Sequence, residues 1–195
     1  MRHGLALVTP PAVEPLSTAE GKTHLRIDHD LEDSHIDELI EGARQEVETM
    51  TRRSLITTEW RLTFDWFPAV IELPQPPLQT VDSIIYTDTD GVEQTLATSL
   101  YQVDVDREPG RIIPAPNTTW PTTQIDRLNA VKVAFTAGYG AASTDVPQAL
   151  RHAIRLFLSQ MYGVREPVLV GAGAREVPLG VMDLVRQYTW GSYPS

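Results

Sequence analysis

The hydrophobic period of this chain changes twice, and that change restricts its fold more than any other feature. Ile36, Leu39, Ile40, Ala43, Val47 and Met50 recur at three- and four-residue steps, which places them on one face of a helix. From Thr57 to Tyr139 the period shortens to two and β-formers dominate. Leu150, Ile154, Phe157, Leu158 and Met161 then restore the helical stripe. Eight of the 15 prolines lie between Pro68 and Pro121, so the strands of the middle region must be short. The order predicts an α+β fold: a small helical bundle with an inserted antiparallel β unit and a C-terminal helical extension.

Local signals sharpen the boundaries. Ser17-Thr18-Ala19-Glu20 reads as a capping box that starts a first helix, ending near Ile27. Gly21 within it costs about 1 kcal/mol relative to alanine, so this helix needs tertiary support. Asp30 or Asp33 is expected to cap the second helix, with Arg52 and Arg53 at its negative end. Residues 57–64 alternate as a strand. Val81 to Thr87 and Val92 to Leu96 flank Asp90-Gly91, a hairpin signal. Leu100 to Val105 and Arg111 to Ile113 form a second pair around Pro109-Gly110, and Ala130 to Phe135 is the last strand. Asp145 and Pro147 start a helix that Glu166-Pro167 ends. Residues 168–176 are a Gly/Ala-rich connector, and Pro178 to about Tyr188 is expected to form one more short helix. The expected organisation is one domain over 1–175, with helices at 17–53 and 146–163 around β structure at 57–140, and a docking helix and tail over 176–195.

Composition excludes several functions. There is no cysteine among the 195 residues, which removes disulfides, thiolate zinc sites and cysteine nucleophiles. The net charge of -10 argues against a sequence-reading DNA binder, which needs a basic patch for phosphates. The charge is uneven. Residues 28–48 hold nine acids against one base, Arg44, while residues 146–190 hold five arginines against three acids. These two parts are candidates to pair, within a subunit or between subunits. Asp33, Asp37 and Glu41 on one side, and Arg151 and Arg155 on the other, are the candidate residues. No run approaches the ~18 apolar residues of a membrane span, and the patch Leu5 to Val8 is too short for a signal-peptide core. Synthesis in a cytoplasm, with no membrane partner, is expected.

Motifs for catalysis are sparse. Asp28, Asp30, Glu32 and His35 form the densest polar cluster, and a metal-dependent enzyme built on them is one functional alternative. As a calcium loop the segment fails at position six, Asp33, and at position twelve, Leu39. A solvated, acid-capped helix start accounts for it without a ligand. Asp88 to Gly91 is explained by a hairpin turn. Gly171-Ala172-Gly173 lacks a third glycine, and no phosphate-binding loop, serine elbow or zinc-protease motif occurs. No cofactor, metal or catalytic residue is expected. The C-terminus is different: Leu184, Tyr188, Trp190 and Tyr193 gather apolar and aromatic side chains where chains usually fray. They either fold back on their own core or dock on a partner chain, where tyrosine and tryptophan are enriched.

The order of segments is itself informative. LALVTPPAVEPLSTAEGKTHLRID (5–28), the acidic helix after it, IELPQPPLQTVDSIIYTDTDGVEQTL (71–96), YQVDVDREPGRIIP (101–114), WP (120–121), NAVKVAFTAGYG (129–140) and VPQALRHAI (146–154) follow in turn. Over most of its length, to about residue 165, the chain resembles the head-to-tail connector (adaptor) proteins of long-tailed bacteriophages and gene transfer agents. The resemblance implies a structural virion protein without enzymatic activity. It implies a ring, usually dodecameric, beneath the portal protein, extending the DNA channel and meeting stopper or tail-completion proteins. A stopper or tail-completion protein of the same neck is the nearer alternative. In relatives a C-terminal segment contacts the portal. DNA would pass through the lumen without specific binding, and an acidic lumen suits a channel that must not hold phosphates.

Overall fold

The computed structural model describes residues 3–163 and 180–190. The chain divides into two units, one of residues 1–11 and 57–139, the other of residues 12–56 and 140–195.

The first unit is all β. Its larger sheet has five antiparallel strands in the order β1 (Gly4–Thr9), β2 (Thr58–Phe64), β8 (Val131–Ala137), β4 (Leu78–Thr87) and β5 (Glu93–Thr95). A second sheet orders β3 (Ile71–Leu73), β7 (Gly110–Pro114) and β6 (Tyr101–Asp104). The period of two decides the core. On β8, Val131, Val133, Phe135 and Ala137 are buried while Lys132, Ala134 and Thr136 between them are only half-buried. They join Leu62 and Phe64 of β2, Ile84 of β4, and Ile71, Leu73 and Ile112 of the smaller sheet in one apolar cluster. Phe67 stacks on Trp120 beside it, ring centroids 4.9 Å apart.

Both expected hairpins form. In the first, the Asp88 carboxylate accepts from the N–H groups of Asp90 (3.0 Å) and Val92 (2.9 Å), and Gly91 takes φ +82°. The loop spends residues through Val92, so β5 is shorter than the expected Val92 to Leu96. In the second, Asp104 of β6 pairs with Arg111 of β7. Residues 4–9, read from sequence only as an apolar patch, add strand β1 to the β2 edge, so the unit is more than an insertion.

The second unit is helical: α1 (Thr18–Leu25), α2 (Asp33–Thr51), α3 (Gln148–Gly163) and α4 (Val181–Arg186). Helix α2 packs on α3, α3 on α4, and α1 on both α2 and α3. The apolar stripes meet as their spacing requires, with Ile36, Ile40, Ala43 and Val47 of α2 and Leu150, Ala153, Ile154 and Leu158 of α3 fully buried. The expected capping box is present: the Ser17 hydroxyl accepts from the Glu20 N–H, and Glu20 Oε2 accepts from the Ser17 N–H at 3.0 Å. Gly21 turns out to be a packing residue. A Cβ there would stand 3.0 Å from Ile40 Cδ1 and 3.1 Å from Ile36 Cγ2. The second helix corrects an expectation. Its N-cap is Glu32, which makes no side-chain cap, and Asp33 is already helical. Asp30 and Asp33 instead both bind Lys22. Of the expected last helix, α4 is the part within the described residues; the connector 168–176 lies outside them.

Candidate functional site

The polar groups of the helical unit fall into an inward set and an outward set. The inward set starts from Arg151 on α3, whose side chain is 7% exposed. Its Nε donates to the Pro15 carbonyl at 2.9 Å and its Nη2 to Glu20 Oε1 at 2.6 Å. Arg155, one turn on, reaches the same oxygen at 3.3 Å. Burial pushes the Glu20 carboxyl up, but the Ser17 N–H and the Arg151 charge outweigh it and hold the group below its ordinary value. The cap of α1 and the anchor of α3 are thus one carboxylate. Alongside it, Tyr162 donates to Glu32 Oε2 at 2.5 Å and Ser159 meets His24 Nε2 at 2.9 Å.

A second inward group centres on Arg44 of α2. It donates to Glu14 Oε2 at 2.8 Å and to Glu48 Oε2 at 2.6 Å. The other Glu48 oxygen accepts from the Leu55 N–H at 2.9 Å. Burial pushes both Glu48 and Glu14 above the usual carboxylate range, and Arg44 opposes the rise in each.

The outward set is the exposed side of α2. Asp37, Glu38 and Glu41 face solvent there. Asp37 accepts from the Thr18 hydroxyl at 2.6 Å, and Glu41 accepts from Gln45 at 3.0 Å and lies 3.8 Å from Arg44 Nη2. Of the charged candidates, Asp37 and Glu41 therefore stay on the surface. Asp33 pairs with Lys22 at 2.8 Å, and Arg151 and Arg155 are engaged by Glu20 inside the unit. These pairs do not join the two expected sets: Arg151 and Arg155 meet Glu20, and Asp33 meets Lys22.

The C-terminal candidates divide as well. Val181 and Val185 of α4 are fully buried, and Leu184, Tyr188 and Trp190 are half-buried. The Trp190 N–H donates to the Thr51 carbonyl at 3.1 Å, and the Tyr188 carbonyl accepts from Arg53 Nε. As far as Trp190, the segment lies against the C-terminal end of α2. Tyr193 is outside the described residues.

The cluster at 28–37 does not converge. Asp30 is bound by Lys22 and Glu32 by Tyr162. Among the described residues no three His, Asp or Glu side chains stand together as a metal site, and no helix is long and apolar enough to cross a membrane. The periodicity missed two features. Glu14, in a loop, carries no sequence signal for its bond to Arg44. In the β unit, Trp66, Ile125 and Leu128 border an open groove of about 430 Å³ and are 57%, 85% and 75% exposed.

Comparison with known proteins agrees with this reading. The model of the phage gp6-like head-tail connector protein family matches residues 17–108. Three solved chains match nearly end to end. One, from the neck of an empty GTA particle computed with C6 symmetry, is 27% identical with a TM-score of 0.80, covering 98% of this chain and 97% of that one. A chain of the virion of a native gene transfer agent particle is 27% identical, TM-score 0.78, covering 97% of each chain. A chain of the neck of a native GTA particle computed with C12 symmetry is 25% identical, TM-score 0.72, covering 100% of this chain and 98% of that one. No curated protein matches. The proteins it is similar to are structural neck proteins of the virion, which supports a structural neck role. The chain is similar to the head-tail connector family over residues 17–108, and to the neck chains over nearly its whole length.

Proposed function

We propose that this chain is a head–tail adaptor. Copies of it form a ring beneath the portal, extend the DNA channel and join the capsid to the tail. The observation that carries the reading is the end-to-end likeness to a chain of a GTA neck, at a TM-score of 0.80 over 98% of this chain. The relatives' necks were computed with C6 and C12 symmetry, and a dodecamer satisfies both. A closed ring needs two different surfaces of one subunit to meet. The exposed acids Asp37 and Glu41 of α2 suit either a neighbour's basic surface or the channel wall. In the channel they would repel phosphates and let DNA slide. Asp33, Arg151 and Arg155 would then act mainly by bracing the helices that carry that face. The half-buried Leu184, Tyr188 and Trp190, with Tyr193 beyond them, are the proposed portal contact. Assembly takes place in the host cytoplasm before the tail joins.

A particle map tests this directly. The expected result is density for this chain in a ring against the portal. Density one ring further from the capsid would make it a stopper or tail-completion protein, and absence from the neck would overturn both.

A further inference from the structure

The two sheets of the β unit end in four edge strands, and they are unequally protected. An open edge offers unpaired N–H and C=O groups to any extended chain, and charges at the edge normally guard against that. Strand β5 has three residues, and its Glu93 is held by Lys132 at 2.5 Å. Strand β3 also has three, and its Glu72 lies 3.5 Å from Arg107. The other two edges differ in exposing apolar side chains within the strand. Strand β1, Gly-Leu-Ala-Leu-Val-Thr, contains no charge and no proline, and Leu7 and Val8 are each 52% exposed. Its register with β2 is regular from Gly4 to Leu7 and shifts only between Leu7 and Thr9. On β6, Gln102 and Val103 are exposed, and the one charge, Asp104, is turned to Arg111 of the inner strand β7 at 3.0 Å. Val105 just beyond is 48% exposed.

We infer that β1 of one copy pairs edge to edge with β6 of the next. The inference rests on the ring reading above. A cyclic assembly of more than two copies requires a heterologous contact, and the chain carries two different edges with exposed apolar residues, one on each sheet. Main-chain hydrogen bonds would supply the join, with Leu7 covered by Val103 on the same face. The edges β3 and β5 stay free. The sheets of neighbouring copies would then run on as a belt around the ring.

Because the chain has no cysteine, thiol cross-linking can be aimed at this contact. Particles assembled with the Leu7→Cys/Val103→Cys variant are treated with a short bis-maleimide and run on a denaturing gel. The expected product is a ladder of covalent multimers beyond the dimer. Mixed single variants should give dimers only, and either single variant alone should give monomer. Ala6→Cys/Gln102→Cys serves as a second pair should the first fold poorly. The inference is overturned if both pairs stay monomeric in particles that contain the chain. It is also overturned if Leu7→Cys alone gives dimers, or if Leu7→Cys/Gln94→Cys gives the ladder instead. Wild-type chain missing from purified necks would overturn the ring reading itself, and this inference with it.

Discussion

Arg151 and Glu20 are 131 residues apart, and their side chains meet at 2.6 Å on the buried side of α3. Glu20 is also the third residue of the α1 capping box. One carboxylate therefore closes the first turn of one helix and neutralises the buried arginine of another. Glu20→Ala should remove the cap bond and leave Arg151, among the described residues, with the Pro15 carbonyl. A cap costs about 1 kcal/mol and an unpaired buried charge about 3 kcal/mol or more. The Glu20 side chain is 36% exposed, so water offsets part of the charge cost, and a loss of about 2 kcal/mol in urea unfolding is expected. A loss under about 1 kcal/mol would mean that the pair is idle.

The same carboxylate sets a pH dependence. Its folded pKa lies below the ordinary 4.5, so its stabilisation is complete above that value and disappears as pH falls through the folded pKa. Glu14 and Glu48 have the opposite sign. Burial raises their folded pKa above 4.5, so acid relieves their cost as pH falls towards that value. Glu20→Gln should flatten the acid limb of the stability curve below pH 4.5, whereas Glu48→Gln should flatten the slope just above it. Unfolding free energy measured from pH 7 downwards separates the two. An unchanged acid limb in Glu20→Gln would refute its assignment.

Gly21→Ala offers a prediction whose sign discriminates. Helix propensity alone favours alanine by about 1 kcal/mol. The new Cβ, however, would press on Ile40 and Ile36 at 3.0 and 3.1 Å. Overpacking costs about 1–3 kcal/mol, so the variant should melt lower than the wild type. A higher melting temperature would show that α1 can move away from α2 at little cost.

Trp190→Ala tests the C-terminal contact. The bond from Trp190 to Thr51 uses the backbone N–H and survives the change. If the indole is a portal anchor, binding to the purified portal should weaken about 30-fold, the effect of roughly 2 kcal/mol at a hot spot, while the melting temperature moves little. A large drop in melting temperature with unaltered portal binding would assign the indole to its own domain.

The outward acids of α2 can be tested by reversal. Asp37→Lys with Glu41→Lys should give the assembled ring a salt-sensitive affinity for DNA that the wild type lacks, read by retention on immobilised duplex. If the pair does not face the lumen, retention will not change.

The sequence by itself determined what depends on near neighbours. The helical stripes of α2 and α3, the Ser17–Glu20 capping box, the Asp90-Gly91 turn and the alternation of β8 were all legible, because each is set by residues within a turn or two of one another. The family resemblance was legible for a related reason, since it lies in the order of such segments. Only the tertiary structure decided the rest. It recruited residues 4–9 as the edge strand of a sheet begun some fifty residues later. It made Gly21 a requirement of packing, and it left Asp37 and Glu41 outside while drawing Arg151 in. It took Asp30 and Asp33 from capping to bind Lys22. These outcomes depend on which distant side chains arrive at the same point. Charge and hydrophobicity along the chain specify what each residue can bond to, but only the packed fold specifies what lies within reach.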